Sequence, residues 1–146
     1  MRKTIKQQHW SQSHVIPVFQ LAAPAHNQEF IVLEGDTRDA LLFGPGRSPS
    51  SYLPGDCGTV VIHANHHFVF LQNIVLNDQI ILSDQMGMEY QYCVLDVSII
   101  DLDKDQIEIT DTDELKLVTP WPFDGFTREN TLRYVVTARK YETYQN

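Results

Sequence analysis

The apolar residues of this chain recur with the period of strands, and glycine or proline closes two of the runs, at Gly35 and Pro120. Successive side chains on a strand point to opposite faces, so short runs of alternating or continuous apolar residues bounded by turn formers build sheets rather than helices. The runs are Val15–Phe19, Phe30–Leu33, Thr59–His63, Gln79–Leu82, Glu89–Ile100, Ile107–Thr110, Leu115–Thr119 and Leu132–Ala138. Pro17 lacks an N–H and predicts an edge position for the first of them. Met86-Gly87 marks a hairpin between the fourth and fifth. In Glu89–Ile100, Cys93, Leu95, Val97 and Ile99 alternate with Val94, Asp96 and Ser98, which predicts that Cys93 faces the core. Asp36 or Thr37 can cap a short helix through Phe43, stopped by Gly44-Pro45-Gly46. Residues 44–56 then read as a loop, with three prolines and three glycines. His66–Ile74 has room for one or two helical turns, and Pro120–Asn130 is a long aromatic loop. The fold class this predicts is mainly β: a closed eight-stranded barrel with one or two short helices.

At 146 residues the chain suits one domain. The pattern places it over residues 13–140, after a flexible segment 1–12 and before a tail 141–146. A net charge of −8 argues against a nucleic-acid partner, which selects a basic face, and against adhesion to anionic lipid. No apolar run approaches the ~20 residues that cross a bilayer. Gln7, Gln8, His9, Ser11 and Gln12 stand where a secretory signal would be apolar. The chain as given therefore reads as soluble, a description that also fits the trimmed soluble part of an anchored protein. Cys57 and Cys93 are too far apart in sequence for a metal or redox motif and read as two unpaired thiols.

Three further groups invite a chemical reading. His63, His66 and His67 stand in an H-A-N-H-H run, a spacing that can hold zinc or copper, although no cysteine or carboxylate lies nearby in sequence. Asp101, Asp103 and Asp105 resemble the start of a calcium loop, but Gln106 occupies the position that needs glycine, so a solvated acidic turn is the better reading. No cofactor is expected. Trp121, Phe123 and Phe126 can either line a groove or pack their loop onto the barrel.

Four segments, in order and at matching spacing, make the chain resemble the sortase family from about Val15 to Arg139. Phe43-Gly44-Pro45-Gly46 with Leu53-Pro54-Gly55 resembles the loop before the family's histidine strand. Thr59-Val60-Val61-Ile62-His63 with Phe68-Val69-Phe70-Leu71 resembles the histidine segment. Leu115-Lys116-Leu117-Val118-Thr119 with Trp121-Pro122-Phe123 resembles the cysteine segment, and Leu132-Arg133-Tyr134-Val135-Val136 the arginine strand. The style is nearest to the small class D or E sortases, including proteobacterial ones. The resemblance implies a sortase-type barrel at the cell envelope or in the periplasm. It implies a cysteine transpeptidase in which a thiolate attacks a sorting-signal carbonyl, a histidine protonates the leaving amine, and an arginine holds substrate or oxyanion.

One departure decides the functional expectation. The family's cysteine follows the Leu-Val-Thr run directly, and here that place is Pro120, which has no nucleophilic atom. Cys57 begins the run that His63 ends, about 20 Å away at ~3.3 Å per residue, and Cys93 sits in mid-strand. Thr119 is adjacent, but a threonine nucleophile needs a dedicated base. Alignment on Phe68-Val69-Phe70-Leu71 matches His63 to the family histidine, and a shifted gap would choose His66. Arg133 matches the family arginine. The expectation is an inactive sortase-like domain with His63 and Arg133 around Pro120, and with Thr119, Trp121 and Phe123 as binding residues. Its partner would be a sorting-signal-like peptide or a cell-surface protein. The alternatives are an enzyme with altered, metal-assisted chemistry on His63 and Arg133, and a scaffold without a ligand.

Overall fold

The computed structural model describes residues 16–124 and 130–141. Eight strands close into one barrel in the order β1-β2-β3-β4-β7-β8-β6-β5. They are β1 (Pro17–Ala23), β2 (Gln28–Glu34), β3 (Gly46–Arg47), β4 (Val60–His63), β5 (Gln79–Asp84), β6 (Glu89–Asp101), β7 (Glu114–Pro120) and β8 (Leu132–Tyr141). A single α-turn, α1 (Arg38–Leu41), follows β2, and Thr37 is its cap: the Thr37 Oγ1 accepts from the Ala40 N–H at 3.2 Å. Short 3-10 segments cover Pro24–His26 and His66–Asn73.

The barrel buries one side of each strand. Leu21, Val32, Val60, Ile62, Ile80, Leu82, Tyr92, Val94, Leu115, Leu117, Val136 and Ala138 form its interior, together with Phe68 and Leu71 from the second 3-10 segment. A smaller cluster, Val61, Val118 and Val135, lies on the opposite side of β4, β7 and β8, packed under Ile100, Ile107 and Ile109. The two clusters alternate along the same strands with period two. One sheet patch therefore has a sealed inner face and an outer face that, among the described residues, Ile100, Ile107 and Ile109 cover at its apolar end.

The structure corrects several expectations. Cys93 is half-buried and does not face the core: Tyr92 and Val94 do, and the Cys93 thiol reaches the Asn77 Oδ1 at 3.7 Å. The cause is a register shift between Val94 and Asp96, a bulge that leaves Leu95 exposed and returns Val97 to the interior. Alternation counted through the bulge assigns the wrong face to everything before it. Pro17 does not mark an edge, because β1 pairs with both β2 and β5; proline opens the strand instead. Ile107–Thr110 is not a strand. It is a coil anchored where the Thr59 N–H donates to the Thr110 carbonyl at 3.1 Å, and its isoleucines pack on the outer cluster. The glycine-rich loop conceals β3, two residues long, parallel to β2 and antiparallel to β4. Residues 1–12 and 142–146 of the predicted ends lie outside the described residues, as does Phe126.

Candidate functional site

The outer face of β4, β7 and β8 changes character toward one end. Two residues beyond Val61, Val118 and Val135 on their strands stand His63, Pro120 and Arg133, all half-buried. The pairing brings them together. β4 and β7 run parallel with His63 beside Val118, and β7 and β8 run antiparallel with Pro120 directly opposite Arg133. Because side chains alternate, His63, Pro120 and Arg133 share one face.

His63 ends β4, and the chain turns away at once. The Ala64 N–H still donates to the Val118 carbonyl at 3.1 Å, and the Thr119 Oγ1 donates to the Asn65 carbonyl at 3.2 Å. Thr119 is 2% exposed, so this hydroxyl secures the β4 exit against β7 and belongs to the inner face. The His63 Nε2 lies 3.5 Å from the Asp36 Oδ2. Burial lowers the imidazole's proton affinity, Asp36 raises it, and the Arg133 charge lowers it again, with a net shift below the ordinary histidine value.

Arg133 Nη1 donates to the Asn130 and Leu132 carbonyls, both at 2.9 Å. These acceptors are neutral, and among the described residues no carboxylate pairs with the guanidinium. Burial holds its pKa below the ordinary arginine value, yet the group stays a cation. Asn130 also closes the base of the aromatic loop: its Nδ2 donates to the Trp121 carbonyl at 2.6 Å, while the Trp121 N–H donates to the Leu132 carbonyl at 3.1 Å. Trp121 is half-buried. Phe123 packs edge-on against Tyr134, centroids 5.0 Å apart, and touches the interior cluster. Phe123 therefore does what the packing alternative required of it.

The other histidines form a different feature. His66 is exposed and lies over His67, ring centroids 4.1 Å apart. The His67 Nδ1 is buried without a hydrogen-bond partner among the described residues, and burial, then His66, keeps its proton affinity low. No three His, Cys, Asp or Glu among the described residues, His63, His66 and His67 included, are grouped so that they could hold a metal ion. The acidic turn is held by Asp101, whose Oδ1 accepts from Thr131 Oγ1 at 2.6 Å and from the Asp103 N–H at 3.0 Å. Sequence reasoning took Asp36 as a candidate helix cap and missed its contact with His63. The pairing spans the barrel wall, and only the adjacent glycines, Gly35 and Gly46, hint at a close approach there.

The sortase domain family matches residues 21–141. The chain belongs to the sortase family. It is 30% identical over 125 residues to sortase D of Bacillus subtilis (strain 168), an alignment covering 82% of this chain and 62% of that protein. The chain thus spans under two thirds of that relative's length. Among solved structures it is similar to sortase A from Corynebacterium diphtheriae, with TM-score 0.77 and 19% identity over 100% of this chain and 74% of that one. It is also similar to Clostridium perfringens sortase C with the C-terminal cell wall sorting motif, with TM-score 0.71 and 21% identity over 85% of this chain and 70% of that one. At such identities the likeness establishes the barrel. Among the described residues no helix is long and apolar enough to cross a membrane.

Proposed function

We propose that this chain is a sortase-fold domain, of the class D or E style, that has lost its nucleophile and acts by binding. Pro120 takes the position of the family's cysteine. One observation carries the reading: Pro120 pairs directly with Arg133, on the face and at the strand end where His63 sits. A group there would have the imidazole and guanidinium of a transpeptidase site within reach, and proline offers no atom to attack with. Neither cysteine supports a replacement. Cys93 pairs with Arg139 on β8, seven residues along β6 from Ile100, the partner of Arg133, or roughly 23 Å at ~3.3 Å per residue. Cys57 is an exposed turn residue ahead of β4, with φ of 57°. Thr119 is buried with its hydroxyl already donated.

The ligand proposed is an extended, sorting-signal-like peptide at the envelope, laid across the outer face with a backbone carbonyl on the free edge of the Arg133 guanidinium. The metal-assisted alternative draws no support from the geometry, since no group of ligands converges on His63 among the described residues.

The test uses the full chain, a fluorescent sorting-signal peptide and an amine acceptor, with and without added zinc. Binding without cleavage or transfer is expected. Turnover by the unaltered chain would overturn the reading, and absence of binding would leave only the scaffold. Pro120→Cys is expected to introduce a thiol that forms a peptide adduct detectable by mass spectrometry. An exposed thiol that reacts with iodoacetamide yet never with peptide would count against residues 63, 120 and 133 being one site.

A further inference from the structure

Asp36 is the acidic neighbour of His63, and backbone geometry puts it there. β2 ends at Glu34, and Gly35 follows with φ of 100°, a left-handed conformation that favours glycine. The Gly35 N–H donates to the Arg47 carbonyl at 2.9 Å. A Cβ built on Gly46 would overlap the Gly35 carbonyl oxygen, so the two chains approach only because residue 46 has no side chain. Gly46 in turn pairs with His63 across β3 and β4. Arg47 fixes the same corner: its Nε and Nη2 bind the Glu34 carboxylate at 2.9 and 2.8 Å, and its Nη1 donates to the Ser51 carbonyl at 2.7 Å. Next in the chain after Gly35, Asp36 therefore comes to rest against the His63 ring at 3.5 Å.

We infer that Asp36 is a positioning residue for His63: it holds the Nε2 edge of the imidazole toward the β2–α1 turn and supports its protonation, leaving Nδ1 for whatever occupies the outer face. The charged and titratable groups around the ring are few. Asp36 comes from the β2–α1 turn, Arg133 from β8, and His66 and His67 from the segment after β4. Glu34 and Arg47 neutralise each other, and Lys116 lies two residues before Val118 on the same face of β7. Of these groups, all among the described residues, Asp36 is the acid paired with the ring. Its carboxylate opposes both burial and Arg133, and so limits how far the proton affinity of His63 falls below the ordinary histidine value. A protonated His63 beside Arg133 would give the outer face two adjacent donors for peptide carbonyls. This inference rests on the reading of residues 63, 120 and 133 as one site.

The experiment is a pH titration of the full-length protein by NMR of labelled imidazoles, with the His63 signal assigned by its loss in His63→Gln. Asp36→Asn is expected to lower the His63 midpoint by about one pH unit, the lower end of the usual effect of an opposite charge at this distance because both groups are partly exposed. Asp36→Glu should restore most of the shift, and Arg133→Gln should move the midpoint the other way. Gly46→Ala, which displaces the turn, should mimic Asp36→Asn where circular dichroism shows an intact barrel. A His63 midpoint unchanged in Asp36→Asn, with the fold intact, would overturn the inference. In a Pro120→Cys background, the limb of the adduct-formation pH profile that reports His63 should shift with Asp36→Asn in the same direction. Absence of adducts in Pro120→Cys alone would count against the proposed function, while the imidazole titration would still decide the role of Asp36.

Discussion

The inner and outer faces of the β4–β7–β8 patch are made by alternate residues of the same three strands, and they do different work. The inner face is Val60, Ile62, Leu115, Leu117, Val136 and Ala138, none more than 1% exposed. The outer face begins apolar with Val61, Val118 and Val135 and ends in His63, Pro120 and Arg133. Hydrophobic burial, the main favourable term in folding, is concentrated on the first. The titratable side chains of His63 and Arg133 stand at the far end of the second. A change at residue 120 can therefore remove an activity and leave the barrel intact.

The largest break in this contrast should come from the inner face. Leu117→Ala, removing a fully buried side chain directly beneath the site, should cost about 2–5 kcal/mol in urea unfolding. Glu34→Gln comes next. It leaves the guanidinium of the buried Arg47 with a neutral partner and should cost about 1–3 kcal/mol by the same measurement. Arg133→Gln should invert the pattern: peptide affinity by fluorescence anisotropy falls roughly tenfold or more, the loss of a charge-assisted hydrogen bond, while stability changes by under ~1 kcal/mol. A stability loss as large as that of Leu117→Ala would show that the outer face is structural after all.

The smallest effect sharpens the comparison through pH. His63 and His67 both have proton affinities below the ordinary histidine value, His63 through burial against the opposing pull of Asp36, and His67 through burial and His66. In the window just below that ordinary value of about 6.5, the unfolded chain binds more protons than the native one. Stability should therefore rise with pH there, falling as acid is added until the native histidines also protonate. The expected difference in urea midpoint between pH 5.5 and 7.5 corresponds to under ~1 kcal/mol, and it should flatten in a His63→Gln, His67→Gln double variant. A midpoint falling as pH rises would mean that Asp36 outweighs burial.

Much of the barrel was legible because its causes are local. Seven of the eight strands overlap apolar runs, β1 only over Pro17–Phe19, since a half-buried strand needs little more than alternation. What escaped had non-local causes. β3 is two residues of a glycine-rich loop with no pattern of its own, and exists because β2 and β4 flank it. The bulge near Leu95 depends on how β8 pairs with β6, and it reversed the face assigned to Cys93. Of the candidate site, His63, Pro120 and Arg133 stood out by family resemblance, whereas Asp36 gave no signal because its partner is reached across the barrel wall.

The order of residues alone determined that this would be a β-barrel of the sortase family, and that proline rather than a thiol follows the Leu-Val-Thr run, because both are matters of local pattern and residue identity. Which side chains meet was decided only by closure of the barrel. Strand register set Pro120 against Arg133 and His63 on their face, and the Gly35–Gly46 approach brought Asp36 to the imidazole. Such contacts depend on the distance and orientation of segments far apart in the chain, which exist only once the sheet has closed.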